Sequence, residues 1–181
     1  MKQLGKITFK KLETSDHDKL QVFLNACIDL GYENNKSFES IKLDKMIMPY
    51  GQFFIGLDED KIFTFAGIHI MQPHKYRCLF RGAGLPGYST GLTGLRASYQ
   101  FIYLLNMQID FILAHDSQAE FYLTTNHVQD NGKSSKMNKI WCPRITKQGV
   151  LKLVDDSFLY HNTLQSLWKI DVVTYKQWRV I

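Results

Sequence analysis

Cysteine is scarce in this sequence: three residues in 181, Cys27, Cys78 and Cys142. Their odd number, wide spacing and apolar neighbours suggest neither a disulfide framework nor a zinc site, and fit a reducing compartment such as the cytoplasm. The first residues hold no apolar run of signal-peptide length, so export is not expected. The most apolar segment, 95–114, is interrupted by Arg96, Gln100, Asn106, Gln108 and Asp110, which reads as a core helix rather than a membrane span. His74, His115, His127 and His161 lack metal-ligand spacing with a cysteine or carboxylate, so no metal is expected. Repeats, low-complexity tracts and linkers are also missing, and one domain, 1–181, accounts for the chain.

What is present is apolar and aromatic residues, 45% and 13% of the chain, enough for a well-buried core. Twenty-two Lys and Arg against 17 Asp and Glu give a net charge of +5, which favours anionic partners such as phosphates without demanding nucleic acid.

Residues 7–9 open as a short strand. Thr14, Ser15 and Asp16 then offer caps to a helix whose apolar positions are Leu20, Phe23, Leu24 and Cys27; Ser15 with Asp18 fits a capping box, and Gly31 suits the helix end. A second helix is predicted over 37–47. Segments 52–57, 61–71 and 75–81, rich in Phe, Ile and Thr and joined by Asp58-Glu59-Asp60 and Gln72-Pro73-His74, read as an antiparallel meander. A long apolar helix follows, with Arg96, Gln100, Tyr103, Asn106 and Asp110 on one stripe. "EFYLTTN", 120–126, reads as a strand reached by a helical crossover, hence parallel to the strand ending at Arg81. Residues 134–141 suggest a short helix with Met137, Ile140 and Trp141 on one face, which Pro143 helps to end. Strands over 149–154 and 166–173 close the chain.

Between the meander and the long helix lie five glycines, Gly82, Gly84, Gly87, Gly91 and Gly94, and one proline, Pro86. Bare backbone beside a helix start can hold a phosphate, because unobstructed N–H donors and the helix dipole meet there. A flexible connector is the other explanation. His69 projects from the strand face that carries Gly67, where a small residue would leave room, and is the candidate base; a satisfied sheet histidine is the plainer alternative. Tyr160 has a phenol able to donate a proton, or a ring that simply packs. Lys133, Lys136, Lys139, Arg144, Lys147 and Lys152 form a run without an acidic residue, either a solvated face or a contact for an anionic partner.

This order of elements resembles the GCN5-related N-acetyltransferase (GNAT) superfamily over nearly the whole chain. Through "FRGAGLPGYSTG", "FYLTTN", "SSKMNKIW" and "FLYHNTLQSLWKID" it is also similar to GNAT-like proteins encoded by bacteriophages. The resemblance implies an α+β fold with a mixed sheet, in which an antiparallel meander crosses through a helix to a parallel strand and helices cover both faces. It implies an N-acyltransferase using acetyl-coenzyme A, or another acyl-CoA, and an amine-bearing acceptor whose class stays open. In that family the cofactor lies where the two parallel strands splay. Its diphosphate would sit on Phe80, Arg81, Gly82, Ala83 and Gly84, where Pro86 replaces a motif glycine or alanine, or later on Ser89, Gly91 and Gly94. Asn126 and Ser134 would line the cofactor, or act as caps together with Ser135. The position corresponding to the family's acid tyrosine holds Asn138. A GNAT-shaped scaffold holding nucleic acid or a protein through 133–152 is the competing reading.

Overall fold

The computed structural model describes residues 7–30, 51–85, 98–128, 135–160 and 162–178. The expected second helix, 37–47, lies outside them, as do Gly31, Lys133 and the glycines at 87, 91 and 94. In chain order the elements are β1 (Ile7–Lys11), a 3-10 turn (Thr14–Asp16), α1 (His17–Asp29), β2 (Gly51–Asp58), β3 (Lys61–Gln72), β4 (Lys75–Gly84), α2 (Ser98–His115), β5 (Glu120–Asn126), a π-helical turn (Met137–Trp141), α3 (Cys142–Thr146), β6 (Leu151–Tyr160), β7 (Thr163–Ile170) and α4 (Val172–Trp178). The strands hydrogen-bond in the order β1-β2-β3-β4-β5-β7-β6, seven in all, with β4 and β5 parallel. The mixed α+β sheet expected from the sequence is therefore present. Its contacts fall into two compact units, Met1–Ile70 with Cys78–Ser117, and Met71–Arg77 with Gln118–Ile181.

In the first unit α1 buries Leu20, Phe23, Leu24 and Cys27, the stripe that helical spacing marks, against Phe53, Ile55, Leu57, Ile62 and Phe65. Its start differs from the expected Ser15/Asp18 box. Asp16 is buried, accepts the Glu13 N–H at 3.0 Å and pairs with Lys10 at 2.9 Å. That contact with Asp16, above all its hydrogen bond, holds the Lys10 ammonium above its ordinary pKa.

Ile62 and Phe65 reach the same face because β3 carries one extra residue: Gly56 pairs with Thr64 but Leu57 with Ile62, leaving Phe63 as a bulge. The opposite face meets α2, where Phe111 lies edge-on to Phe54 at 5.7 Å and Tyr103 stacks on Phe9 at 4.9 Å. Helices thus cover both faces of this unit. Tyr103 and Asp110 are exposed and Asn106 is half-buried, as the polar stripe predicts, while Gln108 turns inward.

In the second unit β7 is flanked by β5 and β6, and the buried Trp168 indole donates to Thr125 at 2.8 Å. Three expectations change here. The closing strand ends at Ile170 rather than at 173, because Asp171 accepts the Thr174 N–H at 2.7 Å and so caps α4, whose Tyr175 is buried. The β-branched Val172-Val173-Thr174 had read as strand, yet packing overrides that propensity. β6 occupies Leu151–Tyr160, beyond the expected 154, its Asp155-Asp156-Ser157 run absorbed by register shifts at which Asp155 accepts the Ser157 N–H at 2.8 Å. Pro143 does not end the short helix. Cys142 donates its N–H to the Met137 carbonyl across a wide i to i+5 turn, so Pro143 falls in the first turn of α3, where an amide hydrogen is not required. The extra residue per turn also rotates Ile140 off the face of Met137, and Ile140 is 61% exposed.

Candidate functional site

β4 does not stop at Arg81. Arg81, Gly82, Ala83 and Gly84 continue it, with the Ala83 carbonyl accepting from Thr64 Oγ1 at 2.9 Å and the Leu85 N–H donating to Phe63 at 2.8 Å. Within this stretch Leu79 and Arg81 both take φ of +53°, a left-handed conformation that costs a residue with a Cβ roughly 1–2 kcal/mol. One side chain holds the distortion. Gln108 of α2, fully buried, accepts the Leu79 N–H at 2.9 Å and donates to the carbonyls of Ala66 at 3.2 Å and Gly67 at 3.0 Å. All three polar groups of the amide are used. A buried amide with three good partners specifies one backbone geometry, since any other leaves a group unpaired.

Three sequence candidates come together here. His69 is half-buried with its ring stacked on Phe80, centroids 5.1 Å apart, and the Arg81 guanidinium lies 5.3 Å over the same ring. The room expected beside Gly67 is filled: a Cβ there would stand 2.8 Å from the Phe53 ring. Gly82 likewise serves packing, for its Cβ would lie 3.1 Å from Phe101 and 3.3 Å from the Leu79 carbonyl. Ser89, Gly91, Gly94 and Ser134 lie outside the described residues.

In the second unit β4 and β5 pair in parallel over three positions only, Lys75 with Glu120, Tyr76 with Phe121 and Arg77 with Tyr122. β5 continues to Asn126 paired with β7 alone, Asn126 standing opposite Gln165. Gln165 donates to the Tyr160 carbonyl at 3.5 Å. Tyr160 is half-buried, stacked on Phe158 at 5.7 Å, with the Arg77 guanidinium 4.5 Å from its ring centre. Burial, and then a hydrogen bond to Glu120, push the Tyr122 phenol up to about 12, so it stays protonated and donating. Ser135 acts as a cap, its hydroxyl accepting the Asn138 N–H at 3.3 Å.

Known structures share this fold. A GNAT-family acetyltransferase from Staphylococcus aureus superposes with a TM-score of 0.60 at 12% identity, covering 91% of this chain and 98% of its own. The fold is that of the GNAT acetyltransferases. The aminoglycoside 6'-N-acetyltransferase from Enterococcus faecium follows with a TM-score of 0.59 at 9% identity over 90% and 95% of the two chains. The ribosomal-protein-S18-alanine N-acetyltransferase from Escherichia coli gives 0.55 at 13% over 91% and 92%. No family profile and no curated protein matches the sequence. The phage likeness draws no support from these bacterial structures.

On the GNAT fold the sequence reading had passed over a cluster at the end of β5. Ser166, fully buried on β7, places Oγ 2.6 Å from Asp156 Oδ1, 3.0 Å from Asn138 Oδ1 and 3.0 Å from His127 Nε2, and His127 Nε2 is also 3.5 Å from Asp156. These residues come from three elements, the π-helical turn, β6 and β7, and from the bend that follows β5. Asn138 is therefore committed to Ser166. Of the basic run, Lys136, Lys139, Arg144, Lys147 and Lys152 are exposed. Among the described residues no group of three or more His, Cys, Asp or Glu side chains is placed to hold a metal, and no helix is long and apolar enough to cross a membrane.

All three thiols are buried and free. Burial raises Cys27 and Cys142 to about 12 and Cys78 further still, so thiolate is negligible near neutrality. Ellman's reagent at pH 8 is expected to titrate less than one thiol per folded chain and three after denaturation in guanidinium. Rapid labelling of the native protein would contradict that burial.

Proposed function

We propose that this chain is an acyl-coenzyme A-dependent N-acyltransferase, a single GNAT-like domain acting on an amine. The observation that carries it is the three-position ladder between β4 and β5, after which β5 runs on with no strand partner on that side among the described residues. Free strand-edge donors and acceptors suit the two amides of a pantetheine arm, which pairs as a peptide does. Leu123 to Asn126 would hold that arm, with Ser134 beyond. Because the space at Gly82 is taken by Phe101, the diphosphate is assigned to Ser89, Gly91 and Gly94.

When bound, acetyl-CoA supplies an acetyl group as a thioester. The chain must remove a proton from the attacking ammonium and provide one to the departing sulfur. The sequence nominates His69 for the first step, and its half-buried ring stacks on Phe80. Tyr160 is the candidate for the second. The Arg77 guanidinium lies 4.5 Å from its ring centre. The reading does not choose the amine, so the test uses spermidine, kanamycin and a peptide beginning with alanine.

With acetyl-CoA present, amine-dependent release of coenzyme A thiol is expected for at least one of them. No release, together with no effect of acetyl-CoA on the unfolding midpoint, would overturn the proposal. The second reading, a scaffold without turnover, draws on the exposed lysines of 136–152. It requires a labelled oligonucleotide or acidic peptide to bind with an affinity that falls steeply with salt.

A further inference from the structure

We propose that His127 is the proton-accepting residue of this site, with Ser166 and Asp156 as the positioning residues that fix its tautomer. The proposal rests on the acyltransferase reading, but its geometry does not.

The cluster can be decided by counting protons. The Ser166 hydroxyl has one hydrogen, and two acceptors lie in reach, Asp156 Oδ1 at 2.6 Å and Asn138 Oδ1 at 3.0 Å. The shorter contact, to a carboxylate, takes it, because O–H···O⁻ bonds are the strong ones. Asn138 is accommodated by an amide flip, which presents its NH2 group to Oγ with no change of shape. The serine oxygen then has lone pairs only for His127. Nε2, 3.0 Å away, must therefore carry the hydrogen and donate it, since two lone pairs facing each other at that distance repel. Nδ1 is left as the bare, basic nitrogen. Among the described residues no hydrogen-bond partner occupies it.

Among the described residues Asp156 of β6, 3.5 Å from Nε2, is the charged group against the imidazole; β7 presents Ser166 and the π-helical turn presents Asn138, both uncharged. A serine-hydrolase triad is excluded by the same geometry. There the acid would hold Nδ1 and the serine would be open to substrate, whereas here the acid touches the serine itself and Ser166 is fully buried.

His127 directly follows Asn126, the last residue of the free edge of β5, and its side chain is 30% exposed. The proton count closes as follows. The amine N–H bond breaks and an Nδ1–H bond forms while nitrogen bonds to the acyl carbon; the C–S bond breaks, its electron pair leaves with sulfur, and the thiolate takes a proton from Tyr160 or solvent.

Two measurements test this on the full-length protein. Histidine 15N NMR is expected to show His127 as the Nε2–H tautomer, and Ser166→Ala to return it to a mixture. With whichever of the three amines the wild type acetylates, His127→Gln is expected to lower kcat/KM about 100-fold at pH 7.5 without changing stabilisation by acetyl-CoA. An Nδ1–H tautomer, or His127→Gln within threefold of wild type, overturns the proposal alone. A wild type that turns over none of the amines and is not stabilised by acetyl-CoA overturns the acyltransferase reading and this proposal with it.

Discussion

Gln108→Leu is expected to lower the unfolding midpoint by about 6 to 12 °C, because about 3 kcal/mol is lost and a domain of this size shifts roughly 2–4 °C per kcal/mol. The substitution leaves three buried groups without a partner: the Leu79 N–H and the carbonyls of Ala66 and Gly67. Each costs about 1–3 kcal/mol, and the burial of leucine's apolar surface offsets part of the sum. The loss is also local. Leu79 and Arg81 hold left-handed angles that only a specific partner sustains, so the Leu79 amide should exchange with solvent much faster in the variant. Thermal melts by circular dichroism and amide exchange by mass spectrometry check both parts. A midpoint within 2 °C of wild type would show that Gln108 does not hold β4.

Gly56→Ala is the second large effect, expected at about 2 kcal/mol from overpacking, with Gly56→Val failing to fold at 37 °C. A Cβ at Gly56 would lie 2.7 Å from Thr64 Cγ2, 2.8 Å from Phe9 Cε1 and 2.9 Å from Phe63 Cζ. Thr64 and Phe63 are fully buried, and Phe63 sits in the bulge of β3 that turns Ile62 and Phe65 to one face. None of the three can move without disturbing that register. Combining Gly56→Ala with Phe9→Leu should restore part of the loss, a coupling of about 1 kcal/mol in urea denaturation. Strict additivity of the two changes would mean that Phe9 does not pack on Gly56.

The parts of the fold legible in the sequence are those that local chemistry dictates. The apolar stripe of α1 recurs every three or four residues, and the meander is punctuated by Asp58-Glu59-Asp60 and Gln72-Pro73-His74, so both could be read without a partner in view. The parallel strand 120–126 followed from the length of the crossover. What was not legible depends on pairs distant in sequence. Gln108 is one polar residue in an apolar helix, and nothing nearby shows that it faces the backbone of β3 and β4. α4 follows β7 with a β-branched run, and only Asp171 signals a cap. β6 runs through two aspartates that look like a turn until their register shifts are seen.

The site divides in the same way. His69 was nominated by residue type and strand position, Tyr160 by residue type, and Asn126, Phe80 and Arg81 by the family resemblance. Their surroundings, the Phe53 ring beside Gly67 and the Phe101 ring beside Gly82, belong to the tertiary structure. His127 had no local context, because Asn138, Asp156 and Ser166 reach it from three other elements.

Acyl-CoA binding to the free edge of β5 is the claim on which the functional account stands. The most direct measurement is the unfolding midpoint across a titration of acetyl-CoA, repeated with amide exchange along β5. At a hundredfold excess over the dissociation constant, stabilisation of about 2.7 kcal/mol is expected, roughly 5–10 °C, with new protection at Leu123 to Asn126. An unchanged midpoint at millimolar acetyl-CoA, with exchange at those amides unaffected, would contradict it.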